Sequence, residues 1–254
     1  GVGKSTLLHI INGKIAPDRG HIRINGFDLY RNRFKLKGMI GFVPQDDLLI
    51  EELTVYQNLY YNAQLCFADY TEDELKTTVN KILDDLELTD IAHLKVGNPL
   101  KKYISGGQRK RLNIGLELMR EPYILILDEP TSGLSSSDSE NIMHLLKDQT
   151  RKGRLIIATL HQPSSQMFKL LDKLWILDKG GFPVYTGNPV DAIVYFKKIS
   201  AQVNAAESEC PVCGNIDTEE ILDIIETRTL DEFGNPTKDR KIKPEEWYRY
   251  YKEK

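Results

Sequence analysis

Apolar positions recur along this chain with two periods, and the order of the two outlines its elements. Ser5–Asn12 reads as a helix leaving a glycine turn. His21–Ile24 alternates apolar and polar residues and runs into Asn25-Gly26, a hairpin signal. Met39–Val43 is a short apolar strand stopped by Pro44. From Thr54 to Leu118 the period lengthens. Leu53, Val55, Leu59, Ala63 and Leu65 follow helical spacing, and Thr71-Glu72-Asp73-Glu74 is a capping box leading into Val79, Ile82, Leu83 and Leu86. Buried strands then return at Tyr123–Leu127 and Leu155–Thr159, with a helix around Ser137–Lys152 between them. Trp175–Leu177, Gly180-Gly181 and Pro183–Tyr185 form one more hairpin pattern. Continuous apolar strands alternating with helices predict an α/β fold: a mainly parallel sheet covered on both faces, with an antiparallel β edge and a helical insert over about residues 50–120. Beyond Asn204 the pattern weakens. Glu219–Thr227 reads as a helix, Asp231–Lys243 as charged and turn-rich, and Pro244 starts a last helix in a position that suits proline.

Composition narrows the class. The 254 residues carry a formal net charge of −3, which gives no global pull toward nucleic acid or anionic lipid. No apolar run approaches the ~20 residues that span a bilayer. Three cysteines, Cys66, Cys210 and Cys213, make no disulfide framework, and a reducing compartment is the default. The pair Cys210-Pro-Val-Cys213 is either half of a metal knuckle, which normally needs four ligands, or a tight turn with two free thiols. The chain opens in mid-motif and closes on a charged tail, as an excised piece of a longer protein does.

Five segments carry candidate chemistry. Gly1-Val2-Gly3-Lys4-Ser5-Thr6 supplies glycines that let backbone N–H groups crowd phosphates, a lysine that reaches the outer phosphate oxygens and a hydroxyl for Mg²⁺. Asp128-Glu129 ends an apolar strand, which aims two carboxylates at the sheet edge where ligands sit in open α/β sheets. Asp128 suits the Mg²⁺ shell and Glu129 the polarisation of an attacking water. Ser105-Gly106-Gly107-Gln108 opens an amphipathic helix: Ser105 is an N-cap, and the glycines leave an unshielded helix tip that attracts anions. One chain already has its phosphate loop, so this second tip points to a γ-phosphate brought by another copy. Gln45 and His161 follow strands. Alone, each reads as a satisfied polar residue at a strand end. Placed in order among the other segments, Gln45 reads as a Mg²⁺ or water contact and His161 as a γ-phosphate contact.

Together these residues resemble the nucleotide-binding domain of an ATP-binding-cassette (ABC) transporter, over about residues 1–200. The resemblance implies a P-loop NTPase core whose first strand or strands lie before residue 1. It makes Gly1, Val2, Gly3, Lys4, Ser5 and Thr6 the Walker A loop, Gln45 the Q-loop, Ser105–Gln108 the signature, Asp128 Walker B, Glu129 the catalytic base and His161 the switch histidine. ATP and Mg²⁺ are the implied cofactors, with Ser5, Gln45 and Asp128 about the metal. Val43–Asp47, the segment from Arg109 to Glu117 and Thr159–Ser164 are similar to the ABCG, or White-type, branch. Its members join the ATPase domain to a permease domain on one polypeptide and work as dimers at the cytoplasmic face of a membrane (the inner membrane in a bacterium). The partners so implied are a second nucleotide-binding domain and a transmembrane permease domain, with no nucleic acid. The surface around Asp46–Leu53 and the helical insert is expected to meet the membrane segments. The expected division is 1–203 for the ATP-binding domain and 204–254 for an extension toward the permease. The competing reading is a soluble ABC ATPase acting on ribosomes or DNA, without transport. One position departs from the family: Ser135 stands where the D-loop aspartate is expected, and Asp138, three residues on, is no obvious substitute.

Overall fold

The computed structural model describes residues 2–98, 103–202, 205–209 and 213–253. Gly1 and Cys210 lie outside them. The chain falls into two compact units, Ser5–His161, and Gln162–Lys254 with Gly1–Lys4.

The Ser5–His161 unit is built on a three-stranded parallel sheet. Strands β3 (Ile40–Val43), β4 (Ile124–Leu127) and β5 (Leu155–Ala158) lie in the order β3-β4-β5. Ile40 pairs with Ile124 and Leu127 with Ala158. Central β4 contributes Leu125, Ile126 and Leu127, all fully buried, as the apolar run predicts for a strand covered on both faces. Outer β5 is half-buried, and Leu155 is exposed. Helix α1 (Lys4–Ile11) follows the glycine turn. A two-residue hairpin, β1 (Arg23–Ile24) and β2 (Phe27–Asp28), closes through Asn25-Gly26 as expected; both turn residues have positive φ, at 49° and 82°. The antiparallel strands form separate two-stranded ribbons and do not extend the parallel sheet.

Among the described residues the insert holds three α-helices, α2 (Val55–Cys66), α3 (Glu72–Asp85) and α4 (Gly106–Leu118), with a 3-10 turn at Thr89–Ile91. All three start on complete capping boxes, at Thr54, Thr71 and Ser105. Leu59 and Ala63 are buried, whereas Leu65, expected on the same stripe, is exposed. At 100° per residue it lies about 200° round the helix from Ala63. Gly115 lets α4 approach α3, because a Cβ there would stand 2.5 Å from Leu86 Cδ1. Helix α5 (Ser136–Arg151) precedes β5.

In the other unit, α6 (Ser165–Lys169), the hairpin β6 (Leu174–Asp178) and β7 (Phe182–Gly187), α7 (Pro189–Ile199) and α8 (Glu219–Glu226) lead to a hairpin, β8 (Arg228–Leu230) and β9 (Pro236–Arg240), and to α9 (Pro244–Glu253). The β8–β9 hairpin lies in and beside the stretch read as turn-rich. Its strands are almost wholly polar and exposed, so they lack the alternation that marks a half-buried strand. Asp231 sets the turn by accepting the N–H groups of Phe233 and Asn235. One apolar core joins Phe168, Val184, Tyr185, Ile193 and Phe196 to Ile216, Ile221, Ile224, Ile225 and Trp247. Residues on both sides of the expected 203/204 division therefore share a core. Among the described residues no helix is long and apolar enough to cross a membrane.

Candidate nucleotide site

Strand β4 delivers the two carboxylates. The Asp128 N–H donates to the Val43 carbonyl at 2.9 Å, continuing the β3–β4 ladder by one residue. Glu129 then turns the chain out of the sheet with φ 45°, a left-handed conformation that a non-glycine residue adopts at a cost of about 1–3 kcal/mol. Thr159, just past the end of β5, holds both residues. Its hydroxyl donates to Asp128 Oδ1 at 2.7 Å and accepts the Glu129 N–H at 2.8 Å. Asp128 and Thr159 are buried and Glu129 is half-buried. The sequence marked Thr159 only as the opening of a motif. The sheet register makes it the clamp, since Leu127 pairs with Ala158. His161, two residues later, is exposed.

Gln45 leaves β3 with its side chain exposed, and its backbone is tied to α4. Lys110 Nζ donates to the Gln45 carbonyl at 2.9 Å. Lys110 is buried, and burial lowers its pKa while Asp47, Asp46 and Asp128 pull it up. Arg109 grips Asp47 with Nε at 2.9 Å and Nη2 at 3.0 Å, and its Nη1 donates to the Val96 and Gly97 carbonyls. Asn113 Oδ1 accepts the Leu48 N–H. Three residues of one helix thus fix the 45–48 segment. Sequence reading gave no sign of this link, which joins residues 62 to 65 apart.

Ser105 caps α4 as expected: its hydroxyl accepts the Gln108 N–H, and Gln108 Oε1 accepts the Ser105 N–H. Gly107 is buried, and a Cβ there would stand 2.6 Å from Asp138 Cγ. The helix tip read as open to anions therefore has a carboxylate of its own chain beside it. Asp138 is positioned by Ser135, which accepts its N–H and donates to Oδ2 at 3.0 Å. No hydrogen bond among the described residues joins Ser105–Gln108 to Asp128, Glu129 or His161. Gly3 has φ 91° and leads into α1, where Lys4, Ser5 and Thr6 form the first turn; Val2 precedes it. Among the described residues no cluster of three or more His, Cys, Asp or Glu could hold a metal, and Cys213 is exposed and free.

A parallel sheet with a glycine turn at the head of a helix and paired carboxylates at a strand end defines a P-loop nucleoside triphosphatase. The family model described as ABC transporter matches residues 1–132, over half of the chain, and the chain belongs to the ABC transporter family, whose ATP-binding domain hydrolyses ATP. A second model, described as ABC-2 type transporter, matches residues 161–231. Its relatives put it in the G branch. ABC transporter G family member 28 of Arabidopsis thaliana is 40% identical over 207 residues, 80% of this chain and 18% of that protein. Member 14 of the same plant is 36% identical over 213 residues, 82% of this chain and 32% of that protein. ABC-type transporter claG of Penicillium crustosum is 37% identical over 193 residues, 76% of this chain and 26% of that protein. The chain thus spans under a third of the length of these relatives. A solved structure, cbiO1 from Clostridium perfringens, part of the ABC transporter complex cbiONQ, superposes with a TM-score of 0.65 at 29% identity over 80% of each chain.

Proposed function

We propose that this domain hydrolyses ATP to power a membrane transporter, with two copies clamping nucleotide between the Walker A loop of one and the Ser105–Gln108 tip of the other. The observation that carries this reading is the Thr159 clamp, which presents Asp128 and Glu129 together at the C-terminal edge of the sheet. Gly1, Val2, Gly3, Lys4, Ser5 and Thr6 cradle the phosphates. Glu129 takes a proton from the attacking water, His161 contacts the terminal phosphate, and Gln45 contacts the water. Ser5, Gln45 and Asp128 offer the hard oxygen donors that Mg²⁺ takes, and Asp128 Oδ2 accepts no hydrogen bond from the described residues, so the donor set fits that ion. Mg²⁺ supplies charge neutralisation on the phosphates.

The same reading has the domain at the cytoplasmic face of a membrane, joined to a permease domain on one polypeptide. Exposed Leu48 and Ile50, on a segment held by Asn113 and Asn58, support docking of that permease at 46–53 and the insert. Residues 1–203 act as the ATP-binding domain and 204–254 as the extension toward the permease, although residues from both sides of that division pack in one core. The transporter relatives favour this over a soluble ATPase acting on ribosomes or DNA.

The test uses the full-length protein. Glu129→Gln is expected to keep ATP binding and to lower turnover by roughly 10²-fold or more, the contribution of a positioned base. Turnover close to wild type would refute the assignment.

A further inference from the structure

Residues 14–37 carry seven Lys or Arg against two Asp, in a chain whose formal net charge is −3. All seven cations are exposed, and none takes part in an ion pair among the described residues. Of the two acids, Asp28 is turned onto its own loop, where Oδ1 accepts the Tyr30 and Arg31 N–H groups. Two of these cations, Arg33 and Lys37, line a cleft of about 390 Å³ at the end of α1 away from the glycine turn. Leu29, Leu36 and Ile40 give the cleft an apolar lining, and Arg33, Lys37 and Phe34 share it. Phe34 is 95% exposed, a ring left in water between basic neighbours. Lys35 lies over the ring of Phe27, itself exposed, at 4.8 Å.

Beyond the Lys35–Phe27 contact and the bond from Arg33 Nη2 to the Gly13 carbonyl at 3.1 Å, this arrangement is costly or idle in a free domain. Unpaired cations side by side repel, and a phenyl ring in water forgoes burial worth about 1.5–3 kcal/mol. Both terms change sign at an anionic bilayer, where each Lys or Arg near the surface gains about 1 kcal/mol and an aromatic ring settles at the headgroup boundary. Membership of the ABC transporter family brings a bilayer within reach of the chain. An acidic protein would also satisfy the cations; the family's bilayer favours the lipid surface, and the test below separates the two.

We propose that the cleft and basic rim of residues 29–40 form a docking site for an anionic phospholipid surface, in which the cations meet headgroup charges and Phe34 enters the headgroup–acyl boundary. The site is separate from the nucleotide site and stands whether or not Glu129 is the base.

The test is sedimentation of this 254-residue chain with vesicles of phosphatidylcholine alone and of phosphatidylcholine mixed with phosphatidylserine. Binding is expected only to the anionic vesicles and is expected to weaken as salt is raised. The triple variant Arg31→Glu, Lys35→Glu, Lys37→Glu should lose roughly 10²-fold in partitioning. Its three positions are exposed, so an unchanged thermal midpoint shows that the fold is kept. Phe34→Trp should show a blue-shifted emission increment on anionic vesicles. Equal binding to both vesicle types, binding to neither, full binding by the triple variant or an unshifted indole emission from the Phe34→Trp variant would each overturn the proposal. Capture of polyglutamate without vesicle binding would assign the surface to an acidic protein instead.

Discussion

The hydroxyl of Thr159 hydrogen-bonds in both senses, donating to Asp128 and accepting from the Glu129 backbone. Thr159→Val keeps the shape and removes both bonds. It leaves a buried carboxylate oxygen and an N–H unsatisfied, which costs about 1–3 kcal/mol each at most. The strained backbone of Glu129, with φ 45°, loses the restraint that holds it. With Glu129 as the proposed base, turnover should fall by roughly tenfold or more, because a base displaced by a fraction of an ångström loses its line on the water. ATP binding should hold, which separates this effect from general unfolding. Equilibrium nucleotide binding and single-turnover hydrolysis by the same variant would check both. The two acids were legible from the strand that ends in them. Thr159 was not, because its role depends on which residue of a neighbouring strand lies opposite.

Helix α4 ties distant segments together. Its N-terminus is capped by Ser105, and Arg109, Lys110 and Asn113 hold the segment from Gln45 to Leu48. Asp138 bears on the same tip from α5. A carboxylate beside a helix N-terminus competes with an incoming phosphate for the same partial charge, an effect of about 0.3–1 kcal/mol. Asp138→Asn keeps an acceptor for Ser135 and is expected to lower the ATP concentration for half-maximal turnover by roughly two- to fivefold. An unchanged or raised value would show that the carboxylate does not oppose nucleotide. Farther along α4, Glu117 accepts the Phe42 N–H through Oε2. Burial raises its pKa above the ordinary 4.5, opposed by that hydrogen bond and by Arg120. The native state then holds the proton more tightly than the unfolded chain, so this group's contribution to stability falls as pH rises from about 4.5 through the raised value. Glu117→Gln should raise the melting midpoint at pH 7, and by less near pH 4. Thermal scans at the two values test the sign.

At the scale of the whole molecule, the tail is part of a packed unit. Trp247 is fully buried, edge-on to Phe196 at 5.2 Å, and α8 adds Ile221, Ile224 and Ile225 to the same core. Trp247→Ala removes the largest side chain of that core, at about 3–5 kcal/mol. It should lower the melting midpoint of the Gln162–Lys254 unit by roughly 10 °C or more. A chain stopped at residue 203 should lose that transition altogether. Differential scanning calorimetry that shows no change in either protein would mean that the tail stabilises nothing.

Sequence alone determined the alternation of strands and helices, the capping box at Thr71, the N-cap at Ser105, and the order of the glycine-rich and acidic segments. Each of these rests on neighbours within a few residues, whose spacing fixes which face a side chain takes. It misjudged Leu65, where the spacing was mistaken for a stripe, and passed over the β8–β9 hairpin, whose polar strands are paired by a turn and not by an apolar face. Tertiary structure decided what joins distant segments: the Thr159 clamp, the grip of α4 on residues 45–48, the carboxylate of Asp138 at Gly107, and a core that draws on both sides of residue 203. Contacts between residues 30 to 65 apart depend on sheet register and helix packing, and no local pattern of apolar and polar positions encodes them.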